Sequence, residues 1–172
     1  VVQTAEGATL AHVLPETDVF EDITPRLADL DGDGLTEVVT IRSSLRLGAS
    51  VAIYGVVDGQ LSLRAATPFI GRAHRWLNIA GIADYLGEGG AQIAYVETPH
   101  IGGTLHLWSF GRGALTPRAA LGGFSNHAIG SRVQALSVTV DLNADGRPEL
   151  IVPDDRRRVL RVMAAGAGGW CE

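Results

Sequence analysis

The sequence predicts an all-β chain of repeated four-stranded antiparallel blades, a partial β-propeller, and three observations predict it. An acidic segment carrying glycine recurs with its leading aspartate at Asp29, Asp84 and Asp141, at intervals of 55 and 57 residues. A second landmark keeps nearly the same period: Leu63-Arg64-Ala65-Ala66 returns as Pro117-Arg118-Ala119-Ala120, 54 residues on. Each period holds about four short apolar or β-branched runs, and no helical i, i+3, i+4 pattern is sustained. Four strands in ~50 residues is the sequence signature of a propeller blade.

The elements follow in order. A first run, 8–14, reads as an orphan strand of a neighbouring or closing blade. The first blade, near 20–68, has strands expected near Thr24–Ala28, Glu37–Ile41, Ser50–Tyr54 and Leu61–Ala66. The second, near 76–122, has them near Asn78–Ala83, Gln92–Val96, Thr104–Ser109 and Leu115–Ala120. The third, near 134–165, shows Leu136–Val140, Glu149–Val152 and Arg158–Met163, and its fourth strand is expected to be missing because the chain runs into Ala164-Ala165-Gly166-Ala167-Gly168-Gly169. β-Branched and aromatic residues in Val51-Ala52-Ile53-Tyr54 and Leu105-His106-Leu107-Trp108 suit a pleated surface. Val38-Val39-Thr40-Ile41 and Leu150-Ile151-Val152 are nearly continuous apolar runs, as in strands covered on both faces. Asp58-Gly59 and Arg112-Gly113 mark matching hairpin turns between third and fourth strands. Three blades are fewer than the ~4–8 that close a propeller, so blades from further copies or subunits, or from a longer chain, are expected to complete it.

Composition narrows the function. The chain has 172 residues, 46% hydrophobic and 19% charged, enough apolar material for a core and too little charge for a disordered polyelectrolyte. The net charge of -5 argues against a nucleic-acid binder, which needs basic residues to displace counterions from phosphate. No apolar run approaches the ~20 residues of a membrane-spanning helix. All 14 basic residues are Arg, and the one Cys, Cys171, leaves no internal disulfide to form. Val1-Val2-Gln3-Thr4 offers neither a charged n-region nor an apolar h-region, so no signal peptide is expected within these residues, whether one was removed or never present.

The acidic segments carry the chemistry. Asp29, Asp31, Asp33 and Glu37 stand at loop positions 1, 3, 5 and 9, with Gly34 at position 6. Alternate residues of a tight loop can aim oxygens at one centre, Gly34 permits the sharp return, and the carbonyl of Leu35 can serve at position 7. A hard cation such as Ca²⁺ takes about 6–8 such oxygens, and carboxylates this close repel one another without one. Asp141, Asn143, Asp145 and Glu149, with Gly146 and the Arg147 carbonyl, repeat the arrangement with one charge fewer. The competing reading of both is a solvated acidic turn. The middle loop is degenerate: Asp84 keeps position 1 and Glu88 position 5, but Leu86 stands at position 3 and Gln92 at position 9. It is expected to keep its shape without metal, so the expectation is one or two Ca²⁺ sites. Thr40 and Val152 at position 12 exclude an EF-hand, which needs a bidentate Glu there.

The stretch Asp29-Leu30-Asp31-Gly32-Asp33-Gly34-Leu35-Thr36-Glu37, followed by an apolar strand, resembles the FG-GAP/VCBS repeats of integrin-α-like β-propellers, and Asp141-Leu142-Asn143-Ala144-Asp145-Gly146-Arg147-Pro148-Glu149 resembles them too. Phe69-Ile70-Gly71, Glu97-Thr98-Pro99-His100 and Phe124-Ser125-Asn126-His127 are similar to secreted VCBS-repeat proteins of alphaproteobacteria. The resemblance spans about Phe20 to Met163. It implies a blade-forming module with structural calcium, periplasmic or secreted.

No catalytic set is visible. His12, His74, His100, His106 and His127 show no His-x-x-x-His or Cys-His spacing, and Ser43, Ser44 and Ser125 lack a nucleophile-elbow context. Two segments are candidate partner-binding positions: Arg72, Arg75 and Trp76, because Arg and Trp anchor interfaces, and Asn126 and His127, in a loop between blades. The expected function is a calcium-stabilised, non-catalytic module for protein binding or assembly. The alternative is a polysaccharide- or ester-acting enzyme on a propeller scaffold, which requires carboxylate, His or Arg groups converging at the axis.

Overall fold

A computed structural model describes residues 1–166 and 169–172. Every regular element is a β-strand: β1 (Val2–Gln3), β2 (Thr9–Leu10), β3 (Asp18–Phe20), β4 (Arg26–Ala28), β5 (Glu37–Ser44), β6 (Gly48–Val57), β7 (Gln60–Ala66), β8 (Leu77–Ala83), β9 (Gln92–Glu97), β10 (Thr104–Gly111), β11 (Ala114–Gly122), β12 (Val138–Val140), β13 (Glu149–Pro153), β14 (Leu160–Gly166) and β15 (Gly169–Cys171). Among the described residues they form three antiparallel sheets and one small hairpin.

The chain divides into two compact units, 1–28 with 34–75 and 29–33 with 76–172. In the first, the sheet order is β3-β5-β6-β7, and β4 joins the same edge of β5. β3 pairs with Arg42–Ser44 and β4 with Glu37–Val39, so the edge strand is one strand interrupted at 21–25. Val39, Ile41, Val51, Ala52 and Ile53 are fully buried. In the second unit, β8-β9-β10-β11 and β12-β13-β14-β15 are two further four-stranded sheets. They share one core: Ala94, Val96, Leu105 and Leu107 of one sheet with Leu150, Val152, Met163 and Trp170 of the other, around Tyr85 and Phe124.

The two complete repeats agree in detail. Asp58-Gly59 and Arg112-Gly113 both have positive φ (49° and 74°, 52° and 73°), which is the two-residue turn whose twist matches the strands it joins. In each repeat the third and fourth strands slip register once, after Ile53 and after Leu107. The extra residues at these slips are Arg64 and Arg118. The repeated Arg-Ala-Ala landmark is therefore a β-bulge, which bends the strand and re-aims the extra side chain.

Two strand expectations are corrected. The third sheet has its fourth strand: Ala164 pairs with Cys171 and Ala165 with Trp170, and the Trp170 ring packs 5.8 Å from that of Tyr85. Burial of a large aromatic outweighs the weak strand preference of a Gly-rich tail; Ala167 and Gly168 of that tail lie outside the described residues. At the other end, only Thr9–Leu10 of 8–14 is strand, and it is not an orphan but pairs with Val2–Gln3.

Candidate metal loops

The three acidic loops share one backbone. Position 4 has positive φ in each (Gly32 75°, Gly87 67°, Ala144 60°), and so has position 6 (Gly34 84°, Gly89 84°, Gly146 86°). Alternating left-handed residues curl each loop tightly. Glycine adopts that conformation freely, while Ala144 is held in it against the clash of its Cβ.

In the first loop, which closes the β4–β5 hairpin, carboxylate oxygens of Asp29, Asp31 and Glu37 lie within 4.8 Å of one another. Among the described residues this is the one place where three such groups meet. Asp29 accepts the Gly32 N–H at 2.8 Å. Glu37 is buried, with Arg64 Nη1 3.9 Å away. Asp31 Oδ1 is buried and has no hydrogen-bond partner. A desolvated carboxylate oxygen without a donor costs free energy that a cation would recover. Asp33 is outside this cluster and lines, with Asp31, Glu88 and Ser109, a cavity of about 430 Å³.

In the third loop, Asp141 accepts the N–H groups of Asp145 at 3.2 Å and Gly146 at 2.9 Å. Buried Glu149 accepts the Leu142 N–H at 2.8 Å and the Asn143 amide at 3.2 Å. The Arg147 N–H, first among several causes, holds the Asp145 carboxyl below its ordinary range. Asp141, Asn143, Asp145 and Glu149 therefore face one another, but the three carboxylates do not close as tightly as in the first loop.

The middle loop explains its own degeneracy. Asp84 accepts the N–H groups of Glu88 and Gly89, as Asp141 does at the matching positions. Gln92, 1% exposed, turns its amide nitrogen to the Gly90 carbonyl at 2.7 Å and to Asp84 Oδ1 at 3.5 Å, while its amide oxygen accepts the Leu86 N–H. The nitrogen thus bridges the position 1 carboxylate and the position 7 carbonyl, two groups a cation would join. Burial pushes the Asp84 carboxyl up, but the hydrogen bonds from Gly89, Glu88, Gln92 and Gly87 outweigh it and the group ends below its usual range. Glu88 is held by both guanidinium nitrogens of Arg118, one at 3.0 Å. This bulge arginine was not singled out in the sequence, although the Arg-Ala-Ala repeat marked its place.

The partner-binding candidates separate. Arg72 and Arg75 belong to the first unit, where the Arg75 carbonyl accepts the Ala49 N–H at 2.9 Å and pins the segment down. Trp76, Asn126 and His127 belong to the second. Asn126 and His127, offered as partner-binding positions, are buried within this chain. Asn126 and Asn78 exchange amide-to-carbonyl bonds at 3.2 Å. His127 Nε2 contacts the Ser131 carbonyl at 3.0 Å and His127 Nδ1 contacts His100 Nε2 at 2.7 Å. A carbonyl only accepts, so His127 carries its proton on Nε2 and Nδ1 accepts from His100. No sequence spacing pointed to this pair, because 27 residues separate it. Ser125 donates to the Pro99 carbonyl at 2.6 Å and accepts from Arg157, so its proton is not poised for a histidine base.

Fold and loops define a class: among the described residues, an all-β chain of three antiparallel sheets, one five-stranded and two four-stranded, whose hairpins carry acidic loops. No family model, curated protein or solved structure matches it.

Proposed function

We propose that this chain is a calcium-stabilised, non-catalytic segment of a β-propeller, working outside the cytoplasm in protein binding or assembly. The observation that carries the reading is Asp31 Oδ1, buried and unpartnered beside Asp29 and Glu37. The contrast with the middle loop supports it, since there an amide nitrogen and an arginine occupy the acidic groups from within. Asp29, Asp31 and Glu37, with the Leu35 carbonyl and Asp33, would hold the first Ca²⁺; Asp141, Asn143, Asp145, Glu149 and the Arg147 carbonyl would hold a second. The ion would cross-link its loop and leave no open position for chemistry. Calcium affinities of about 10⁻⁴–10⁻³ M suit extracellular modules.

The test is a melting curve in millimolar calcium and in excess EDTA, with a bound-metal count. Calcium at 100 times its dissociation constant should add ~2.7 kcal/mol per site. Asp31→Ala should lower the melting temperature in calcium and leave it nearly unchanged in EDTA. Identical curves and a metal count of zero would mean that the loops are acidic turns.

A further inference from the structure

We infer that the first unit holds a binding site for a small organic ammonium ion with an apolar body. The site is a cavity of about 460 Å³ on the first sheet, lined by Phe20, Asp22, Val38, Tyr54 and Leu61, with His12 and β1 also in its wall. All of these belong to the first unit. Small-molecule sites have volumes of about 300–1,000 Å³ and mostly apolar walls with a few placed polar groups. Here the polar groups are Asp22 and Tyr54. The Asp22 side chain is 1% exposed; its Oδ2 accepts from Arg26 Nη1, while its Oδ1 has no hydrogen-bond partner. Tyr54 is 2% exposed and its Oη has none either. Burial, first among several causes, pushes the Tyr54 hydroxyl above its ordinary range, so it stays neutral and can donate or accept. Arg42 acts on that hydroxyl electrostatically but is paired with Asp18 at 3.5 Å. Buried polar atoms left unpaired cost free energy that the donors of a ligand would recover.

The second repeat supplies an internal comparison. Phe20 pairs with Arg42 and Leu77 with Glu97, and Arg42 and Glu97 both stand five residues past loop position 9. Two residues on from Phe20 the first repeat carries Asp22; two residues on from Leu77 the second carries Ile79, 5% exposed. An aliphatic side chain meets the demands of this position in the fold. The carboxylate of Asp22 therefore answers to something other than the packing of the repeat.

The chemistry of the lining selects the ligand. An ionised carboxylate oxygen only accepts, so the ligand must bring an N–H or O–H donor, and a charged donor makes the stronger bond to it. One carboxylate is too few oxygens for a hard metal ion, which takes about 6–8. The rings favour an organic cation. The His12 ring is held by Nδ1, 3.3 Å from the Leu61 carbonyl, and its centroid stands 4.8 Å from that of Tyr54. Phe20 meets the Tyr54 ring edge-on at 5.7 Å. Aromatic rings beside a carboxylate offer an alkylammonium group cation–π contact as well as a charge-assisted hydrogen bond. Val38 and Leu61 then cover its hydrocarbon body.

Calorimetric titration of the 172-residue chain with three probes of one shape tests the site: 2-phenylethylammonium, the neutral 2-phenylethanol and the anionic phenylacetate. The ammonium should bind saturably at one site, the alcohol at least tenfold more weakly, and the carboxylate not at all. Asp22→Asn keeps the shape and an acceptor for Arg26 and removes the charge; it should weaken ammonium binding at least tenfold with circular dichroism unchanged. Tyr54→Phe, which removes only the hydroxyl, should weaken it as well. No saturable binding of the ammonium at millimolar concentration overturns the inference and leaves water as the partner of Asp22 Oδ1. Equal binding of the three probes overturns it too, because the cavity would then be a nonselective apolar hollow. So does an Asp22→Asn chain that binds the ammonium as the wild type does. The probe series on the wild-type chain decides the matter even if a variant fails to fold. No residue of the acidic loops lines the cavity, so loss of the calcium reading would leave this inference standing.

Discussion

Gln92→Glu is the sharpest probe of how the middle loop stands without a cation. The substitution changes one NH₂ to an oxygen and keeps the shape. It removes the donor that holds the Gly90 carbonyl at 2.7 Å, and it sets a new carboxylate beside Asp84 at a position 1% exposed. Leaving a buried acceptor unpaired costs about 1–3 kcal/mol, and a buried, unpaired charge adds to that. A loss of ~3 kcal/mol corresponds to a fall of roughly 6–12 °C for a chain of this size. The assay is thermal unfolding in EDTA. Position 9 would then carry the oxygen found in the other two loops, so calcium at 100 times its dissociation constant should return ~2.7 kcal/mol. Acid should also rescue the variant. Burial raises the folded pKa of the new carboxyl, so the folded state binds more protons than the unfolded one and stability falls as pH rises. A variant that melts with the wild type in EDTA would refute the role given to the amide nitrogen. A deficit that calcium leaves untouched would refute the equivalence of the three loops.

Two further outcomes follow from backbone and titration. Ala144→Gly relieves a left-handed alanine, φ 60°, and should raise stability by about 0.5–1 kcal/mol despite the added freedom of the unfolded chain, measured as a shift in the denaturant midpoint. His100 is held below its ordinary pKa of 6.5, first by burial, then by the neighbouring His127 ring and the Arg157 charge. Its folded form binds fewer protons than the unfolded one, so stability should fall as pH drops below about 6.5, and His100→Gln should flatten that slope in a pH series of unfolding curves.

What the sequence by itself determined is what a residue imposes on its own neighbourhood. The period of the repeats, the strands around Val38–Ile41, Val51–Tyr54 and Leu105–Trp108, and the Asp58-Gly59 and Arg112-Gly113 turns were legible because alternation and positive φ are local demands written in residue type. The acidic loops were legible for the same reason, since nine consecutive residues set which oxygens can converge. Tertiary structure decided whatever depends on a partner far along the chain. Gly169–Cys171 is a strand because Trp170 reaches Tyr85, a contact across 85 residues that outweighs a tail written in Gly and Ala. Asn126 and His127 are interior because Asn78 and His100 meet them. Arg118 neutralises Glu88 because a bulge aims it there, and position 9 separates the loops because the Gln92 amide donates where a carboxylate can only accept. Local conformational preferences are properties of one residue and its bonds, whereas burial and charge pairing are properties of whichever residues the folded chain brings together.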